Sequence, residues 1–265
     1  MNGIFIADVI VYLILLPVAN YLFIKHRWTG FLAWYFVNLF CLARIAGGAL
    51  GLHDSSSMAA NVIQSVGITP LILAADGLTH EARAFRFKNR SSLLSWSVVS
   101  TTTIVLAVAM ILSVTGSLNI FEGHGSSLDL TKWKAGSVVT VVVWASQVLW
   151  AAINLVRKGK GYGAGHPEST LLLQGTLGAL VFIGIRVIYT LVAVLTQNKN
   201  LSPITGSIPV RVVLMFLPEC AAALIFTFVG LKTRHLRDIK KKAHYESAPS
   251  NEHEALDAVV PKFNV

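Results

Sequence analysis

The chain has 265 residues, of which 54% are hydrophobic and only 13% are charged, and its mean hydropathy is +0.63. Soluble domains have about a quarter of their residues charged, so this composition excludes a soluble domain and predicts an all-α, multi-pass membrane protein. The formal charge of +9 does not indicate nucleic-acid binding, because the basic residues cluster between apolar runs, as topology determinants do.

Seven apolar runs are long enough to cross ~30 Å of hydrocarbon as helices. In chain order they are Ile4–Ile24, Phe31–Leu52, Met58–Leu78, Leu93–Gly116, Ala135–Leu155, Leu171–Leu195 and Pro209–Leu231. The first has no basic n-region and no small-residue cleavage site, so we expect a retained helix rather than a signal peptide. The sequence therefore predicts a seven-helix bundle over residues 1–231, followed by a basic tail, 232–265, that is disordered beyond Ser247.

Basic residues are distributed unequally between the two ends of the predicted helices. Fifteen flank one end and four flank the other, the four being Lys132, Lys134, Lys199 and Arg211. Because basic residues concentrate on the cytosolic side, we predict an N-out, C-in topology, with the tail lying against anionic lipid. The endoplasmic reticulum is the expected membrane, because no other address signal is evident.

Three ionisable residues inside the predicted helices indicate a functional site or a structural ion pair. Arg44 lies in the second helix, Arg186 in the sixth and Glu219 in the seventh. A charge at mid-bilayer costs about 2.5 to 3.5 kcal/mol on insertion scales, so each needs a partner or a function. Since helix direction alternates, all three fall in the outer half of the bilayer. Opposite charge is expected to bring them together, either as an interhelical lock or as part of a ligand or catalytic site.

Further polar residues share this predicted layer. Asp8, Gln64 and Tyr189 fall at the same depth, and Tyr189 is one helical turn from Arg186. We expect Gln64 and Tyr189 to bind substrate together with the two arginines. Unless Asp8 joins the cluster, its positive surplus suits an anionic or carbonyl-bearing ligand.

Trp144 belongs to a stripe on the fifth helix. It is followed at helical spacing by Gln147, Trp150 and Asn154. Such stripes are more often packing or interfacial anchors than cation cages. Trp144 would still bind substrate by stabilising a carbocation if the stripe faces a cavity.

A second group of ionisable residues ends the third helix. We expect His80 and Glu81 to lie at the interface, with the acid paired to Arg83 or Arg86. Asp76 differs, because it directly follows the apolar segment LILAA and is a candidate for a buried carboxylic acid.

No metal or cofactor site is expected. Glu122, His124 and Asp129 share a loop, but their spacing matches no ligand template. The glycine-rich segment GKGYGAGHPES lacks the Gly-Lys-Ser/Thr ending of a phosphate-binding loop, so we predict a flexible turn.

Four segments carry a resemblance to a known family: LARIAGGALGL, NVIQSVGITPLILAADGLTHEARA, GIRVIYTLVAV and FLPECAAALIFTFVGL. With them the chain resembles a large family of seven-span integral membrane proteins from filamentous fungi that lack an assigned activity. Members are often found among secondary-metabolite genes, and the layout is also similar to the small polytopic terpene cyclases of fungal meroterpenoids. In those cyclases a membrane carboxylic acid protonates an epoxide or alkene, a role that resemblance would give to Glu219 or Asp76.

Two functions remain open on the sequence. The first is a membrane-embedded cyclase or isomerase that acts on a lipophilic isoprenoid or meroterpenoid by proton-initiated cyclisation. If Arg44 and Arg186 both contact Glu219, they favour its charged form and leave Asp76 as the better acid. The alternative is a non-enzymatic receptor or transporter that binds a small ligand at the outer Arg/Glu cluster.

Overall fold

The computed structural model describes residues 2–54, 57–87, 92–122, 124–157, 167–202 and 206–235. These residues are mostly helical, and no strand occurs among them. The helices are α1 (Asn2–His53), α2 (Met58–Val66), α3 (Ile68–Arg86), α4 (Ser92–Phe121), α5 (Ser127–Val156), α6 (Pro167–Thr196), α7 (Ile208–Arg211) and α8 (Leu217–Thr233). A 3-10 turn at Lys199–Leu201 follows α6, and a π-helical turn at Val212–Phe216 joins α7 to α8.

Seven stretches within these helices are long and apolar enough to cross a membrane. They are span 1 (Gly3–His26), span 2 (Gly30–His53), span 3 (Met58–Arg86), span 4 (Trp96–Phe121), span 5 (Ser127–Val156), span 6 (Pro167–Thr196) and span 7 (Ile208–Thr233). The predicted all-α seven-helix bundle is confirmed. We call the end at which span 1 begins the N-side and the end at which span 7 ends the C-side. The tail beyond residue 235 lies outside the described residues.

The helical segment α1 contains both of the first two spans, and the chain reverses direction between them. Phe5 packs on Gly51, where any Cβ would collide with the phenyl ring. Tyr12 meets Phe40 edge-on, with ring centroids 5.1 Å apart. Spans 1 and 2 are therefore an antiparallel pair in close contact.

Span 3 occupies the centre of the bundle and is broken near its N-side end. Most residues of α3 are buried, including its charged ones. The break between α2 and α3 falls at Gly67, three residues before Pro70. Proline has no N–H and its ring clashes with the carbonyl four residues earlier, here that of Val66, so a continuous helix is disfavoured at this point.

Span 7 is interrupted in a similar way. The N–H of Leu217 bonds to the carbonyl of Val212, five residues back, and Pro218 follows directly. Pro218 has no N–H to donate to the carbonyl of Leu214, so regular α-helical bonding is disfavoured there. A π-helical turn replaces it over the preceding residues.

Span 5 begins well before the predicted Ala135, because a capping box extends it. The Ser126 hydroxyl accepts from the Asp129 backbone N–H, and the Asp129 carboxylate accepts from the Ser126 N–H at 3.1 Å. Asp129 also accepts from Asn119 and Lys132, each at 3.0 Å. These contacts give Asp129 a structural role at a helix start.

Candidate functional site: an arginine–glutamate cluster

Glu219 lies between two arginines that come from different spans. Its Oε2 accepts a hydrogen bond from Arg44 Nη2 of span 2, and its Oε1 accepts one from Arg186 Nε of span 6 at 3.0 Å. The three side chains are 0–2% exposed. We call Arg44, Arg186 and Glu219 the triad. It joins spans 2, 6 and 7 about 15 Å from their N-side ends, at ~1.5 Å of rise per residue.

A second chain of hydrogen bonds lies nearer the N-side. The Gln64 amide donates to Asp8 Oδ2 at 2.6 Å, and its carbonyl accepts from Arg211 Nη2 at 3.3 Å. A single amide thus bridges a carboxylate of span 1 and a guanidinium of span 7. Asp8 also lies within electrostatic range of both Arg44 and Glu219, so this chain adjoins the triad.

Tyr189 completes this group. The Arg186 guanidinium lies 5.8 Å from the centroid of the Tyr189 ring, and Tyr189 is within electrostatic range of Arg211. The "N-side cluster" below means the triad together with Asp8, Gln64, Tyr189 and Arg211. It includes every sequence-predicted site residue except Asp76 and Trp144.

Arg211 is the member that the sequence pattern predicts to lie elsewhere. The pattern places it among the basic residues that flank the helices, but its side chain is only 3% exposed. In a regular α-helix, residues eight apart point about 80° from each other. The π-helical turn adds about one residue to the path, which reduces the angle between Arg211 and Glu219 to about 20° and places both on the inner face.

The guanidinium of Arg44 is packed as well as paired. It lies 5.4 Å from the centroid of the Phe40 ring. A Cβ built on Gly67 would stand 3.0 Å from both Nε and Nη2 of Arg44, so glycine at the break in span 3 lets the backbone approach this charge closely.

The N-side cluster holds more positive than negative groups. Three guanidiniums face two carboxylates, a formal surplus of one positive charge when all are ionised, and none of the five is more than 3% exposed. Several of its buried polar atoms have no hydrogen-bond partner within the described part of the chain: Asp8 Oδ1, Arg44 Nε and Tyr189 OH. Buried polar atoms are normally satisfied, so these atoms indicate room for a further polar group.

Asp76 and Trp144 lie away from the cluster. Asp76 is 1% exposed in the C-side half of span 3, where the Gln147 side chain hydrogen-bonds to it and its Oδ2 has no partner among the described residues. Trp144 donates from Nε1 to the Leu180 carbonyl at 2.8 Å, and its indole ring fills the space beside Gly184. These contacts make Trp144 a packing contact between spans 5 and 6.

At the C-side end of span 3, Glu81 pairs with a residue other than the predicted Arg83 or Arg86. Glu81 Oε1 lies 2.7 Å from His26 Nδ1, and His26 Nε2 lies 3.2 Å from the Gly230 carbonyl. The histidine therefore links spans 1, 3 and 7. Sequence reasoning passed over His26 because it ends an apolar run next to basic residues, where a solvated side chain is the usual outcome.

The two arginines proposed as partners for Glu81 contact span 5. The Arg83 guanidinium lies over the Trp150 ring, 4.3 Å from its centroid. Arg86 donates to the carbonyls of Leu155 and Arg157 at 3.3 and 3.2 Å, which satisfies groups left open where α5 ends. These contacts attach the C-side end of span 3 to its neighbour.

Comparison with known proteins identifies a family but no characterised relative. No curated protein and no solved structure matches the chain. A family model described as "Domain of unknown function (DUF7702)" matches residues 1–236, which include all seven spans and the whole N-side cluster. The chain therefore belongs to the DUF7702 family.

Proposed function

We propose that this protein binds a small organic anion at the N-side cluster, as a receptor or transporter would. The observation that carries the proposal is the buried surplus of one positive charge, three guanidiniums against two carboxylates. Charge buried away from water costs several kcal/mol, so a cluster whose own side chains sum to a positive charge is suited to a ligand of opposite sign.

The contacts within the cluster support a division of roles. Arg44 and Arg186 are held by Glu219, which fixes their positions and already balances one of them. Arg211 bonds to the neutral amide of Gln64. An incoming carboxylate or phosphate would thus meet preformed donors, and planar guanidiniums bind such groups through two parallel hydrogen bonds.

The same contacts weigh against Glu219 as an initiating acid. Both oxygens of the Glu219 carboxylate already accept hydrogen bonds from guanidiniums, so neither is available to contact the reacting atom of a substrate. Anion binding uses Glu219 as an orienting group and therefore fits this geometry better than proton donation does.

Arg211→Gln tests the proposal most sharply, because it removes the surplus charge and leaves the triad intact. We expect acetate or phosphate to raise the melting temperature of the wild-type protein in lipid nanodiscs. In Arg211→Gln this effect should be lost, with apparent affinity falling about 10- to 150-fold for a charge-assisted hydrogen bond worth about 1.5 to 3 kcal/mol.

Lys132→Gln is the matched control. It removes the same charge from the N-side surface, where Lys132 pairs with Asp129, and should keep the anion response. If the melting temperature of the wild-type protein is insensitive to every small anion tried, or if Arg211→Gln and Lys132→Gln respond alike, the cluster is an interhelical lock and the proposal fails.

A second candidate function rests on Asp76. This carboxyl group is buried in the C-side half of the bundle, is hydrogen-bonded by Gln147 and has an oxygen without a partner among the described residues. Its hydrogen-bond donor is the neutral Gln147 side chain, whereas Glu219 is held by two guanidiniums, so the Asp76 carboxyl group is the more accessible of the two to a substrate. We propose it as the acid of a membrane-bound cyclase that protonates an epoxide or alkene of an isoprenoid substrate in fungal secondary metabolism, in the endoplasmic reticulum.

Microsomes containing the protein and a panel of farnesylated phenolic epoxides test this second candidate. We expect a cyclised product from the wild type, none from Asp76→Asn, and product from Glu219→Gln in proportion to its folded amount. If no variant, the wild type included, gives cyclised product across the panel, the cyclase candidate is abandoned while the anion-binding proposal is unaffected.

A further inference from the structure

A small cavity lined by hydroxyl groups lies beside the N-side cluster, between spans 3, 4, 5 and 6. Its volume is about 50 Å³. A single water needs about 10 to 15 Å³ on this measure, so the cavity has room for about three or four non-hydrogen atoms. Its hydroxyl-bearing lining residues are Thr69, Ser113, Ser117, Ser137, Thr140 and Thr190.

Most of these hydroxyls have already committed their protons. Ser117, Ser137, Thr140 and Thr190 each donate to a carbonyl of their own helix, at 2.9 to 3.0 Å. A hydroxyl carries one proton and two lone pairs, so each of these oxygens acts as an acceptor toward the cavity. The occupant best matched to this lining supplies O–H or N–H donors.

The cavity and the N-side cluster are adjacent and are separated by only a few residues. Thr190 lines the cavity, and its oxygen also accepts a hydrogen bond from Arg186 Nη1. On the other side of these residues, Gly67 lies against the Arg44 guanidinium two residues before the cavity-lining Thr69. A carboxylate at this edge of the cavity would lie next to Arg186 Nη1, which now donates its hydrogen bond to the Thr190 hydroxyl.

We propose that the ligand is a short hydroxylated carboxylate, with its carboxylate balancing the surplus charge of the N-side cluster at the Arg186 edge and its hydroxyl donating to the acceptors of the cavity. This inference rests on the proposed anion-binding function and adds the chemistry of the second end of the ligand. A hydroxyl fits better than an ammonium group, because the Arg186 guanidinium repels a second cation. The volume limits the part inside the cavity to the hydroxyl and two or three carbons.

Lactate and propanoate form a matched pair of probes, since they differ only by a hydroxyl. We expect the full chain in nanodiscs to bind lactate about two- to tenfold more tightly than propanoate, the value of one neutral hydrogen bond. Combining Ser137→Ala with Thr140→Val should reduce the ratio of lactate affinity to propanoate affinity toward one, because it removes two of the acceptors available to the ligand hydroxyl.

Thr131→Val is the control variant. Thr131 is an exposed residue of span 5 that makes the same bond to its own helix at 2.9 Å, outside the cavity, and its replacement should leave the preference for lactate intact. Equal affinity for the two acids, with both lost in Arg211→Gln, would overturn this inference and leave anion binding standing. Binding of neither acid nor any other anion would overturn both.

Discussion

Replacing Glu219 by glutamine removes the carboxylate that holds Arg44 and Arg186 together. The formal surplus in the N-side cluster rises from one to two positive charges, since three guanidiniums then face Asp8 alone. Removing one partner of a buried ion pair costs about 3 to 5 kcal/mol. At about 2 to 4 °C per kcal/mol for a chain of this size, the melting temperature should fall by about 6 to 20 °C.

A second substitution tests whether this loss comes from the unpaired charge. Adding Arg186→Met to Glu219→Gln returns the surplus to one, because two guanidiniums then face one carboxylate. The double variant should recover about 0.5 to 3 kcal/mol relative to the sum of the two single losses, which is the range of coupling energies for residues in contact.

Thermal unfolding of the purified protein in nanodiscs measures both effects, with Glu122→Gln, an exposed N-side residue, as the matched control. The reasoning is refuted if Glu219→Gln melts within about 1 °C of Glu122→Gln. It is also refuted if the losses of Glu219→Gln and Arg186→Met simply add, because additive losses mean that the two side chains do not interact.

Two further predictions concern close packing and helix register. Gly230→Ala should destabilise the protein by about 1 to 3 kcal/mol in thermal unfolding, because the added Cβ would collide with the Trp34 ring. Gly178→Ala is the control: its Cβ would meet nothing within 4 Å, so it should be neutral or stabilising. Equal effects of the two substitutions would contradict the close packing at Gly230. Deleting the lipid-exposed Val213 should close the π-helical turn into regular α-helix, with Arg211 and Glu219 then seven residues apart and still about 20° from each other. Anion binding should then be retained, and its loss in a variant that still folds would contradict the account of how this turn positions the arginine.

The sequence was sufficient to predict the bundle, because hydrocarbon selects long apolar helices and leaves few alternatives. It also predicted that Arg44, Arg186 and Glu219 would meet, since alternating helix direction sets depth and opposite charges attract. Counting hydrophobic residues placed Arg211 at a helix end, however. Its burial depends on a π-helical turn whose position follows from backbone bonding beside Pro218.

Contacts that depend on helix rotation were harder to predict. The pairing of His26 with Glu81 and the packing of Arg83 on Trp150 require knowing which faces of spans 1, 3 and 5 are turned toward each other. Most of these spans carry apolar residues on every face, so their hydrophobic periodicity is weak and does not indicate how each helix is rotated about its axis. The hydroxyl-lined cavity is a gap between four helices, and for the same reason it has no signature in any one of them.

The distance along the chain between Arg44 and Glu219 has a consequence for biosynthesis. The two residues are 175 positions apart, and at about 5 to 20 residues per second the ribosome needs about 10 to 35 s to reach the second after making the first. During that interval span 2 carries a buried arginine whose final partner does not yet exist. Asp8 is already synthesised by then and lies within electrostatic range of Arg44 in the finished structure, so it is available as an earlier counter-charge. The first two spans can thus enter the membrane as a charge-balanced hairpin, which the last span later joins.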